Sequence, residues 1–126
     1  MKKLLLPLAL LLPALPAAAQ QLPELDLEQS MLLRCSAAFA IIASEQERAA
    51  PLAMAYPPLA ERGREFFVQA VATLMDELVL DRDAVMRLAT GEVEALSLAA
   101  AQADDPAAYV DSIMQPCLLA LDASGV

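Results

Sequence analysis

Two cysteines, and only two, stand 82 positions apart in this chain, and each sits on an apolar stripe of helical spacing. Met31, Cys35, Ala38, Phe39 and Ile42 fall at offsets of four, seven, eight and eleven, which stacks them on one face of a helix. Ile113, Cys117, Ala120 and Leu121 repeat the first three offsets. Two apolar faces can therefore meet at a cysteine pair. The expected fold is all-α, a small bundle of four to five helices closed by one disulfide, Cys35 to Cys117, between the first helix and the C-terminal helix.

That expectation depends on an oxidising compartment, and the first nineteen residues, MKKLLLPLALLLPALPAAA, point to one. Lys2 and Lys3 precede an apolar run from Leu4 to Leu15, and Ala17-Ala18-Ala19 closes it, the pattern of a secretory signal peptide. The run is interrupted by Pro7 and Pro13 and falls well short of the roughly 20 residues that cross a bilayer. The reading is a cleavable signal over residues 1–19, cut after Ala19. A single helical domain over 20–126, periplasmic or secreted, follows it, with no membrane span once the signal is removed. In that setting an even cysteine count reads as a structural disulfide before a redox centre, and no C-x-x-C is present.

Both lysines lie inside the signal. Beyond it six arginines face seventeen acidic residues, a formal charge of −11. Such a surface repels nucleic acid and anionic membranes, so neither is an expected partner.

Helix signals divide the rest. Gln20 to Leu25, with Pro23, reads as a loosely held tail. Asp26 can cap a first helix from Leu27 to about Arg48. Pro51, Pro57 and Pro58 break the pattern from Ala49 to Pro58 and make a connector. A second helix is expected from Pro58 or Leu59 to Leu80, its stripe formed by Leu59, Gly63, Phe66, Ala70, Leu74 and Leu78 and widened by Phe67, Val71 and Met75. Gly63 within it implies close approach of another helix. Asp81 can cap a third helix over 82–102, which Thr90-Gly91 leaves open to division into two, with Asp83 and Arg87 spaced to pair. Asp105 followed by Pro106 starts a fourth. Its expected stop is Pro116, with a last turn or two carrying Cys117. No stretch alternates with a period of two for long, so no strand is expected.

The chain has no histidine, which removes Ser-His-Asp and Cys-His catalysis and every imidazole metal site. Asp81 and Asp83 begin like a calcium loop, but Val85 and Met86 occupy positions where a ligand and a glycine belong. With three glycines in total there is no phosphate-cradling loop. No metal and no cofactor is expected, and the acidic residues read as caps and solvated faces.

Two groups remain as candidate sites. Leu52, Met54, Tyr56, Pro57 and Pro58 make the connector too apolar for a freely solvated loop. They lie over an open edge of the core or dock a partner, another envelope or secreted protein. Arg34, Arg62, Arg64 and Glu65 are the polar residues a ligand carrier or a carboxylate- and arginine-dependent enzyme would use, if a concave site gathered them; otherwise they form a solvated face. A non-enzymatic interaction module is the first expectation. The ligand carrier or enzyme and an envelope-stress structural protein are the alternatives. The mature methionines 31, 54, 75, 86 and 114 are expected mainly as core filler.

Overall fold

The computed structural model describes residues 23–126, so the expected signal and its cleavage point lie outside the described residues. Four helices follow one another: α1, Leu27–Glu47; α2, Arg62–Leu78; α3, Arg82–Gln102; and α4, Pro106–Ser124, with a short 3-10 turn at Ala53–Ala55 between the first two. No strand occurs among the described residues.

The caps form as their residue types dictate. The Asp26 carboxylate accepts the Gln29 N–H at 2.8 Å, and the Gln29 side chain accepts the Asp26 N–H at 3.0 Å, a reciprocal box that satisfies two orphan donors of α1. The Gln29 amide also donates to Glu77 at 3.0 Å, which ties the start of α1 to the end of α2. Asp81 accepts from Ala84 N at 2.8 Å and Asp105 from Ala108 N at 3.0 Å, with Pro106 in the first turn of α4.

α1 is the central element, in contact with α2, α3, α4 and the 3-10 turn. Its five consecutive residues Cys35 to Phe39 are all buried, which a single stripe does not account for; a helix with neighbours on several sides does. The main core gathers Cys35, Phe39, Ile42, Leu59, Phe66, Leu96, Met114 and Leu121 around it. A second cluster, Leu33, Leu74, Val85 and Ala89, fills the other end of the bundle. Leu25 packs against that cluster, so the tail is docked at this point rather than loose. The disulfide joins Cys35 and Cys117 with Cα atoms 5.2 Å apart, well inside the reach of such a bond. Ala38 and Ala120 in the same core cluster let α1 and α4 come this close, whereas Ser36 faces α2 and α3.

Gly63 has the close approach its position implies. A Cβ there would lie 3.0 Å from Phe39 Cβ. The Phe39 and Phe66 rings meet edge to face with centroids 5.3 Å apart at 81°, a favoured aromatic arrangement.

Four further expectations, on helix ends and on the first stripe, need correction. α2 begins at Arg62, not at Pro58 or Leu59, because the Gln46 side chain captures the backbone just before it. Its NH2 shares two hydrogens among the carbonyls of Ala53, Tyr56 and Pro57, and its oxygen accepts from Leu59 N. α2 stops two residues short of Leu80, since Val79 adopts the left-handed conformation (φ 52°) and its N–H closes on the Met75 carbonyl. α4 runs through Pro116 to Ser124. The hydrogen bond lost there belongs to the Ser112 carbonyl one turn back; both residues are exposed, so water can take that carbonyl, while Cys117 holds the next turn to α1. Finally, Met31 is 38% exposed, because it borders an open groove in which the end of α4 presents only the small side chains of Ala120, Ala123 and Ser124.

α3 is one continuous helix. A Cβ at Gly91 would meet nothing within 4 Å, so this residue costs at most about 1 kcal/mol of helix propensity without bending the axis. The ion pairs among the described residues are Arg34–Glu92, Arg48–Glu45 and Arg62–Asp122, and the expected Asp83–Arg87 pair does not form. Of the methionines, Met114 is fully buried and Met75 and Met86 are half-buried, whereas Met54 is exposed like Met31.

Candidate functional site

The connector is pinned, not free. Ala53 and Leu59 are each 1% exposed and anchor its two ends in the core. Between them the four hydrogen bonds of Gln46, at 2.9 to 3.2 Å, fix the path of the backbone. Alternate side chains then point outward: Leu52 is 42% and Met54 59% exposed, and Pro57 and Pro58 are exposed beside them. Ala53 and Leu59 thus cover the core edge, while Leu52 and Met54 face solvent.

Tyr56 joins the connector to α4. Its hydroxyl donates to Asp111 at 3.2 Å, and partial burial, then that hydrogen bond and the charge of Asp111, raise the phenol above the ordinary tyrosine range. The neutral phenol is the form that donates, so the contribution is complete below the unfolded-state value near pH 10 and is lost as pH rises through the higher folded value. Absorbance titration of a Tyr109→Phe variant, which leaves Tyr56 as the only tyrosine, should show ionisation above pH 10, and Asp111→Asn should bring it down.

The polar candidates are not gathered into one site. Arg34 pairs with Glu92 of α3 at 3.3 Å. Arg62 turns to the chain end, donating to the Val126 carbonyl at 2.9 Å and to Asp122 at 3.0 Å. Arg64 and Glu65 are exposed and belong to no ion pair among the described residues. Among those residues no three of His, Cys, Asp and Glu cluster as a metal site would require.

Concave surface exists elsewhere. An open apolar groove of about 510 Å³ lies between the start of α1 and the end of α4, lined by Leu27, Met31, Leu32, Phe66, Ala120 and Ala123. A hollow of about 50 Å³ between Ile41, Leu96, Tyr109 and Met114 is too small for a metabolite. Two more hollows, about 210 and 290 Å³, flank α1 where it faces α2 and α3. Ser36, Ala40 and Phe67 line both. Sequence reading assigned Gln46 no role, and Ser36 only that of a small residue beside the disulfide: one glutamine near a helix end and one serine in an alanine-rich stripe carry no periodic signal.

No helix among the described residues is long and apolar enough to cross a membrane. Compared with family models, curated proteins and solved structures, the chain finds no match in any of the three.

Proposed function

We propose that this chain is an exported, non-enzymatic protein-interaction module of the periplasm or the secreted fraction, and that its connector is the docking surface. The observation that carries this reading is the combination of a fixed backbone with outward apolar side chains. A loop held by four hydrogen bonds from Gln46 loses little further freedom on binding, and Leu52 and Met54 offer apolar area for burial. Methionine adapts to varied partner surfaces. The disulfide is in keeping with an oxidising compartment, and the charged start, apolar run and alanine end of residues 1–19 with export.

The partner is another envelope or secreted protein. A photo-crosslinking residue placed at Met54 in the producing cell should yield a discrete adduct of fixed mass, whereas the same residue at the exposed Glu94 of α3 should not. Leu52→Ser in the first background should reduce the adduct several-fold, as loss of an apolar anchor does. Equal labelling from both positions, or none from either, would dismiss the connector as the docking surface. Cell fractionation with N-terminal sequencing of the recovered protein tests the exported state separately, a start at Gln20 being the expected outcome.

A further inference from the structure

The buried hydroxyl of Ser36 has no partner. The residue is 3% exposed, and its Oγ makes no hydrogen bond, although an unsatisfied buried polar group is costly and uncommon in folded proteins. Thr90, the other hydroxyl beside these hollows, donates to the Met86 carbonyl at 3.0 Å. Ser36 therefore stands out, and it stands where the two hollows share a wall.

The chemistry of the two hollows differs. The first is lined by Phe39, Ala43, Leu59 and Gly63, and its one charged group is Arg64, a guanidinium in no ion pair among the described residues. Glu61 and Glu65, its neighbours on α2, do not come within ion-pair distance of it. Apart from the shared Ser36 and the already bonded Thr90, the second hollow is apolar: Ala37, Ala40, Phe67, Met86, Ala89 and Val93. Arg64 thus marks one end, Ser36 lies on the wall that the two hollows share, and beyond it the second hollow is apolar except for the bonded Thr90. The volumes, about 210 and 290 Å³, are each below the roughly 300 to 1,000 Å³ of small-ligand sites, and only the two joined fall within that range.

We propose that these hollows form a binding site for an anionic single-chain amphiphile, of the fatty-acid class, with its carboxylate against Arg64 and Ser36 and its chain lying over Ala40 and Phe67 into the second hollow. The carboxylate accepts from Arg64 directly, and from Ser36 once that side chain turns from its buried position into the hollow, which supplies the hydroxyl's missing partner. The protein's overall negative charge does not forbid this, because at physiological ionic strength charges beyond about 8 Å are largely screened while a direct contact is not. This site is separate from the connector and does not rest on the docking reading.

Calorimetric titration of the disulfide-bonded protein with decanoate, below its micelle concentration, should show one saturable site. Across hexanoate, octanoate and decanoate, binding should tighten by up to about fourfold per methylene. Arg64→Gln should weaken decanoate about tenfold and leave uncharged decanol unaffected. Ser36→Ala should weaken decanoate about three- to tenfold while the ligand-free protein melts no lower than wild type, since the substitution removes an unsatisfied hydroxyl. Ala40→Leu, at an exposed position, fills the shared floor and should abolish binding with the fold intact by circular dichroism. Absence of saturable binding, equal affinity for decyltrimethylammonium, or undiminished binding in Arg64→Gln and Ala40→Leu would each overturn the site. So would light scattering that shows a ligand-free dimer dissociated by Ala40→Leu, since a second copy would then occupy the hollows.

Discussion

Reduction of the Cys35–Cys117 bridge should lower the melting temperature by about 15 to 25 °C, the largest single effect expected in this protein. The bond spans a sequence separation of 82, and closing so long a loop in the unfolded chain is worth about 4 to 5 kcal/mol as an upper bound. Strain and residual unfolded-state structure reduce that figure, and a domain of this length shifts by roughly 4 to 8 °C per kcal/mol. Replacing both cysteines by alanine isolates the loss. Replacing both by serine should cost more, because the two sites are only 1% and 2% exposed and would bury two further hydroxyls. Thermal scans with and without reductant check this: the wild type should shift and the double-alanine variant should not. Thiol titration of the unfolded, unreduced protein should find no free thiol, and two per chain would remove the covalent link between α1 and α4.

The bridge was legible because the even cysteine count and two matching stripes are written in the chain, and so were the caps at Asp26, Asp81 and Asp105. The misread positions have a common physical character. A helix boundary set by a side chain from another segment, as Gln46 sets the start of α2 from thirteen residues before Leu59, has no signature at the boundary itself. The stop at Val79 is equally silent, because a β-branched residue in the left-handed region is disfavoured and sequence rules look there for Gly or Asn. Pro116 shows the opposite failure. A strong local breaker was overruled by tertiary structure, since an exposed proline costs one helix bond while the adjacent Cys117 and Leu121 are buried in the core. The arginines were visible as polar candidates, but their partners Glu92 and Asp122 lie 58 and 60 positions away, and no local spacing rule reaches that far. Met31 fitted the stripe and is still exposed, because a periodicity says which face a residue shares and not whether the side chains opposite are large enough to cover it; here they are Ala120, Ala123 and Ser124.

Phe39→Ala should destabilise the protein by about 3 to 5 kcal/mol, and its interaction with Gly63 shows why. Phe39 is 0% exposed and sits where α1 crosses α2, its ring against Phe66 and its Cβ and Cγ at 3.0 and 3.7 Å from the position a Gly63 side chain would take. Removing the ring leaves a void between helices that the disulfide and the Gln46 contacts keep from collapsing. At Gly63 two effects oppose each other. Alanine gains up to about 1 kcal/mol of helix propensity, but the atom it meets first belongs to the base of the Phe39 side chain, which moves only if α1 moves with it. The net change for Gly63→Ala should therefore be small, while Gly63→Val, with two more carbons directed at the same crossing, should cost about 1 to 3 kcal/mol by overpacking. In the Phe39→Ala background those carbons find the vacated ring volume. Denaturant unfolding of the four proteins of this cycle should then give a double variant less destabilised than the sum of the single ones, with a coupling of about 1 to 2 kcal/mol. Strict additivity would mean that Phe39 and Gly63 do not share the crossing, and that the close approach of α1 and α2 rests on other residues.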